Sequence, residues 1–241
     1  MPRRALAFAL AAGFLACSSP ETKVEYVDEP IDGGYSRDGS TYDSAPPPDS
    51  GLGQLRFQPT LAYSGFDGTH TFQVPVAVYD SASDLTVTAA DPSAATVTPA
   101  KLVNPVTPDG TTDSGKYFLV TVKKAGTITL NAKSGGKTVT ATINAATYAA
   151  DRYATGETRY NGGSPPCTDC HVNGQAIDHS PAALATVDDT KIGTVITNGI
   201  SPAGFPIQGV QGGHKWSVSA AELAGLVTYL RALPSRGLTQ Q

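Results

Sequence analysis

Between residues 55 and 146 apolar side chains recur at every second position, the period of strands with one face turned to a core. In "TFQVPVAVY" this places Phe72, Val74, Val76 and Val78 on one face. "GTITLNA" followed by "SGGKTVTATI" sets Ile128, Leu130 and Ala132 against Val139, Ala141 and Ile143, and Gly135-Gly136 between them predicts a tight hairpin. Further short strands are predicted over 85–88, 95–98 and 117–122, separated by Pro, Gly and Asp clusters. Many short strands at this spacing predict a β-sandwich. Pro75 has no N–H to give to a ladder, so its strand is expected to be an edge or to carry a bulge.

Beyond residue 147 the pattern changes to helices and loops. Ser219 and Glu222 form a capping signal ahead of an apolar stripe of Leu223, Leu226, Val227, Leu230 and Leu233, and Pro234 then Gly237 end it. "DDTKIGTVITNGI" predicts a shorter helix with Val195 and Ile196 inward and Asn198-Gly199 as its stop. Gly156 and Tyr160 stand four apart, so they share a helix face on which glycine permits close approach.

The first residues read as an address. Arg3 and Arg4 precede an apolar run over 5–16 that is too short to span a bilayer as a mature helix, which is the pattern of a signal peptide. Ser, Pro, Gly, Asp and Glu then dominate to about Gly53, with too little apolar periodicity to offset the cost of ordering, so a disordered tether is expected. As a flexible coil its r.m.s. span would be roughly 30–35 Å. The expected organisation is therefore a leader (1–16), a tether (17–54), a sandwich (55–147), a helical domain (148–236) and a tail (237–241).

Charged residues make up 16% of the 241-residue chain and its formal net charge is −4, which supplies no basic field for nucleic acid. Chemistry concentrates in "SPPCTDCHVNG". Two thiols three positions apart, Cys167 and Cys170, can each add across a haem vinyl group, and the next residue, His171, can coordinate the iron. Zinc would need a second pair of ligands, and a thioredoxin-like use of Cys-x-x-Cys would need a βαβ context that the pattern does not provide. Of the three cysteines this leaves Cys17 alone, at the end of the leader. His70, in "GTHTF", is expected to be a loop histidine with no nameable partner.

"FLAC", ending at Cys17, resembles the bacterial lipoprotein cleavage box, although Phe14 stands where that family usually has Leu. The resemblance implies that Cys17 is lipidated, giving a stable membrane anchor. "AGTITL" and "GGKTVTATI", over residues 125–143, resemble the bacterial Ig-like domains of exported and surface proteins, which implies an Ig-like spacer or adhesion module. "YATGETRYNGGSPPCTDCH" and "AAELAGLVTYLRALP" resemble the ends of a small monohaem c-type cytochrome. That resemblance implies an all-α, class I-like cytochrome c domain after the sandwich, with Gly156 and Tyr160 on the first helix crossing Tyr229 on the last, and with Tyr229 packing by the haem.

Most members of that family place a methionine in the distal loop, but the only methionine here is Met1, in the leader. The loop holds His214 instead, preceded by two glycines that would let it approach a haem face. His179 is the competing sixth ligand. In the family its stretch passes the proximal side, which implies an outer-sphere role, with the carbonyl of Pro181 a candidate to orient His171. Water, an open site or a lysine are the remaining possibilities. Trp216 either packs at the haem edge or fills core.

Two imidazoles would give a saturated, low-spin iron suited to electron transfer. The expectation is thus an exported lipoprotein of the outer membrane, facing the periplasm or the cell surface, that carries one haem c and passes electrons to a redox partner protein without being an enzyme. The alternatives are an adhesion or assembly protein with an accessory haem domain, and a small-ligand sensor or peroxidase-like enzyme with an open sixth site.

Overall fold

The computed structural model describes residues 54–102, 115–163, 165–171, 179–208, 213–235 and 238–240. The leader, Cys17 and nearly all of the tether fall outside the described residues. Eight strands come first: β1 (Arg56–Gln58), β2 (Leu61–Phe66), β3 (Gln73–Tyr79), β4 (Thr86–Ala89), β5 (Ala95–Leu102), β6 (Lys116–Val122), β7 (Gly126–Ser134) and β8 (Lys137–Thr147). Five helices follow: α1 (Arg152–Gly162), α2 (Thr168–His171), α3 (Pro181–Leu184), α4 (Asp189–Asn198) and α5 (Ala220–Ala232). A last strand, β9 (Leu238–Gln240), comes from the stretch expected to be a tail and pairs antiparallel with β5.

The strands form two sheets, ordered β1-β3-β6-β5-β9 and β2-β8-β7-β4. The β7–β8 hairpin has the register its alternation predicts, with Ile128 opposite Ile143, Leu130 opposite Ala141 and Ala132 opposite Val139. Gly135 and Gly136 take φ of 54° and 73°, the left-handed pair that a two-residue hairpin turn requires. Val74, Val76 and Val78 are buried on one face of β3, and Phe72, just ahead of the strand, is buried with them. In sheet order β3 is not an edge, but β1 pairs only with Ala77–Tyr79, so at Pro75 the strand has a ladder partner on its β6 side alone. The proline's missing N–H is tolerated there. Local periodicity gave no sign that β2 would pair with β8 in parallel.

The fold class expected from the sequence is not what forms. The described chain is mostly β, in two sheets, and its helices are few and short, the longest being the 13 residues of α5. No large all-α cytochrome c domain is present among the described residues. Buried residues of α1, α4 and α5 belong to the same hydrophobic cluster as those of both sheets. The reason lies in α5, where Gly225, Leu226, Val227, Thr228, Tyr229, Leu230 and Arg231 are all buried. A helix whose last two turns are enclosed on every side is a central element rather than the wall of a separate bundle.

Arg231 fastens this arrangement. It is 3% exposed, and its guanidinium donates to the carbonyls of Tyr63 (3.3 Å), Leu184 (2.8 Å) and Val187 and to the Asp189 carboxylate (2.8 Å). One side chain on α5 therefore holds β2, α3 and the segment that opens α4. Beside it the Tyr63 N–H donates to the Ala185 carbonyl at 2.7 Å, and the Tyr148 hydroxyl donates to Asp189 at 2.7 Å. Burial and the adjoining Asp189 carboxylate push the Tyr148 hydroxyl far above its usual range, so it stays a donor.

A second junction involves His70, which has partners that the sequence did not reveal. Its ring stacks on Tyr153 of α1 with centroids 3.7 Å apart, and its Nδ1 lies 2.6 Å from Asp67 Oδ2. Burial opposes the ionised form of Asp67, but hydrogen bonds from the His70 backbone N–H, the His70 ring and the Thr69 N–H outweigh it and hold the carboxyl below its ordinary value of 3.8. A depressed pKa stabilises the fold above the ordinary value, and the contribution is lost as pH falls through the folded one. Urea midpoints taken from pH 7 down to pH 3 should therefore fall less steeply below about pH 4 in Asp67→Asn than in the parent. Parallel acid limbs would show that this carboxylate is not linked to folding.

Candidate functional site

The site is built where α1 crosses α5. A Cβ on Gly156 would overlap the carbonyl of Gly225, and one on Gly225 would press on the backbone of Gly156, so the crossing requires glycine on both helices. This contact brings Tyr160, 4% exposed, against Tyr229 with ring centroids 5.2 Å apart. Tyr153 meets Tyr229 edge-on, also at 5.2 Å. Tyr229 thus packs among tyrosines on α1. α5 is well started: the Ser219 hydroxyl accepts from the Glu222 N–H at 3.2 Å, and the Glu222 carboxylate accepts from the Ser219 N–H at 2.8 Å.

The cysteine motif hangs from the end of α1. The Cys167 N–H donates to the Tyr160 carbonyl at 2.9 Å, and the Cys167 carbonyl accepts from the His171 N–H at 3.1 Å, closing the single turn of α2. Both cysteines are half-buried. Burial pushes the Cys167 thiol above its usual range, against the pull of the nearby Arg159 guanidinium, so at neutral pH it is a protonated thiol.

His214 is carried by α4. Asp188 caps the start of that helix, accepting from the Lys191 N–H at 2.8 Å, and Gly199 ends it in the left-handed conformation, donating to the Val195 carbonyl. Ile192 and Gly193, rather than Val195 and Ile196, are its buried residues. The same Val195 carbonyl lies 3.3 Å from His214 Nδ1, and the Ile196 carbonyl accepts from the Trp216 N–H at 2.9 Å. A side chain at Gly199 would collide with the His214 carbonyl. Trp216 meets the His214 ring edge-on at 4.5 Å. Burial lowers the pKa of His214 more than the Val195 carbonyl raises it, leaving the neutral imidazole that can bind a metal.

Three of the four histidines come together here. The rings of His171 and His214 have centroids 6.0 Å apart and planes at 90°. The rings of His171 and His179 are stacked, with centroids 3.6 Å apart and planes at 20°. Tyr160 Oη lies 3.2 Å from His179 Nδ1. An imidazole nitrogen binds a first-row metal ion at about 2.0–2.1 Å. With about 1 Å more from nitrogen to ring centre, two imidazoles on opposite sides of one ion stand about 6 Å apart. His171 and His214 have that separation. His171 and His179 are in van der Waals contact, with no space for an ion between their rings.

Among the described residues no group of three or more His, Cys, Asp or Glu side chains could by itself hold a metal ion. A porphyrin brings four donors of its own and asks the protein for two, so the donor set fits a haem better than a tetrahedral zinc. Pro181, a candidate to orient His171 through its carbonyl, is the buried first residue of α3. The Tyr160–His179 contact and the Val195 carbonyl were not anticipated, because both join residues 19 positions apart across different elements.

Neither a protein-family model nor a curated protein matches the chain. Among solved structures, domains 1–6 of the surface-layer protein SbsC are 19% identical over 39% of this chain and 13% of that one, with a TM-score of 0.29. Domains 4 and 5 of the same surface-layer protein are 21% identical over 39% of this chain and 44% of that one, with a TM-score of 0.27. The chain thus spans less than half the length of either structure, and similarity at this level carries no argument.

Proposed function

We propose that the chain carries one covalently attached c-type haem and works as an electron-transfer protein. The thiols of Cys167 and Cys170 would form the thioether links, and His171 would be one axial base. The observation that carries the reading is the 6.0 Å separation of His171 and His214, against a 3.6 Å stack of His171 on His179, which favours His214 over His179 as the sixth ligand. The bound group would supply a one-electron iron couple, and two imidazoles would keep it low-spin and favour the oxidised state.

The chain's own residues make that electron transfer economical. Val195 and Trp216 hold the His214 ring, and Tyr160 holds the motif's backbone, so neither ligand has to move when the charge changes. In this reading Cys17 is the lipid anchor, the tether separates the site from the membrane, and the donor or acceptor is a partner protein. The location we propose, the outer membrane facing periplasm or cell surface, rests on the lipoprotein-like leader.

The test compares the haem-loaded full-length protein with its His214→Ala variant by visible spectroscopy, after a denaturing gel stained for haem has shown that the group is covalent. The parent should be low-spin, and His214→Ala high-spin with readily bound carbon monoxide. A variant that remains low-spin would remove His214 from the iron.

A further inference from the structure

The two histidines assigned to the iron are held by separate parts of the fold. His171 is fixed through its backbone by α2 and through its ring by His179, which lies against it at 3.6 Å and within 20° of parallel. His179 is in turn held by the Tyr160 hydroxyl at 3.2 Å, and Tyr160 is wedged against Tyr229 at the α1–α5 crossing. His214 takes its orientation from the end of α4, through the Val195 carbonyl and the edge-on Trp216 ring. The side chains named on the one support, His179, Tyr160 and Tyr229, differ from the one named on the other, Trp216. The planes that result are perpendicular.

We infer that His179 is a positioning residue which sets the plane of His171, so that the two axial imidazoles are held perpendicular. This rests on the bis-histidine reading above and adds to it a relative orientation and the residue responsible. Stacking fixes a ring because turning His171 about its bond to the iron would drive its edge into the face of His179, whereas a ligand with no neighbour finds the orientation the porphyrin prefers. Packed rings at contact distance resist such rotation. The orientation matters because each imidazole plane selects which iron d orbital it raises. Parallel planes raise the same one and separate the orbitals widely. Perpendicular planes raise both and leave them nearly equal in energy.

Low-temperature electron paramagnetic resonance of the ferric, haem-loaded full-length protein reads this splitting directly. The parent should give a low-spin signal with one large g value and the other two components broadened out of view. In His179→Ala the signal should shift to a rhombic low-spin spectrum with three resolved components. His179→Phe keeps a flat ring against His171 and should retain most of the large-g signal, a rescue that a merely destabilised fold would not give.

A rhombic parent spectrum would overturn the perpendicular arrangement, and a large-g signal unchanged in His179→Ala would overturn the role of His179. Conversion of His179→Ala to high spin would make His179 itself a ligand and overturn the inference in the other direction. A high-spin parent is a different failure, since it would remove the bis-histidine reading on which the orientation depends.

Discussion

Replacement of Arg231 by methionine is expected to lower the unfolding free energy by about 3–5 kcal/mol, the range for removing one partner of a buried, hydrogen-bonded charge pair. Methionine fills similar volume, so the loss would come from polarity. The carbonyls of Leu184 and Val187 would lose the guanidinium donor, and Asp189 would be left without its cation. Arg231→Lys should recover only part of the loss, because one ammonium cannot reach the separate carbonyls and the carboxylate that the planar fork spans. Urea denaturation followed by circular dichroism would report both variants. A midpoint for Arg231→Met within experimental error of the parent would show that the junction between sheets and helices does not depend on this side chain.

The second large effect is expected at the helix crossing. Gly156→Val should cost at least about 3 kcal/mol, at the upper end of what overpacking a core usually costs. The usual relief, a rotamer change in a neighbouring side chain, is unavailable because the obstructing atom is the backbone carbonyl of Gly225. The helices must separate instead, drawing Tyr160 away from Tyr229. Since Tyr160 holds both the Cys167 N–H and the His179 ring, the damage should reach the site as well as the fold. Thermal melts should show a midpoint well below that of Gly156→Ser, the smaller intrusion at the same position. Equal midpoints would mean that the crossing has slack.

The features legible in the sequence are those set by near neighbours along the chain. Alternation plus two glycines fixed the β7–β8 register, and Ser219 with Glu222 fixed the start of α5. The four-residue spacing of Gly156 and Tyr160 put them on one helix face, whereas their meeting with Tyr229 was implied by the resemblance to a c-type cytochrome and not by spacing.

What was not legible depends on distant partners. An arginine at the end of an apolar stripe looks like a solvated terminus, and nothing local says that carbonyls from β2, α3 and the segment ahead of α4 converge on Arg231. The separate all-α domain was expected from the resemblance to a c-type cytochrome and from the change of pattern after residue 147, neither of which shows that the helices share a core with the sheets. On sequence grounds His179 is a competing ligand or an outer-sphere group. Its stacking on His171 became visible only once α1 and α5 had brought Tyr160 beneath it.

The pairing of β9 with β5 has a kinematic consequence. A module joined by one strand of chain can swivel about that joint and present its site in many directions. Here the chain leaves the sheets at Thr147 and is back in them at Leu238, so the segment bearing His171 and His214 is anchored at both ends, like an arch on two footings. The two histidines therefore keep one bearing relative to the sheets.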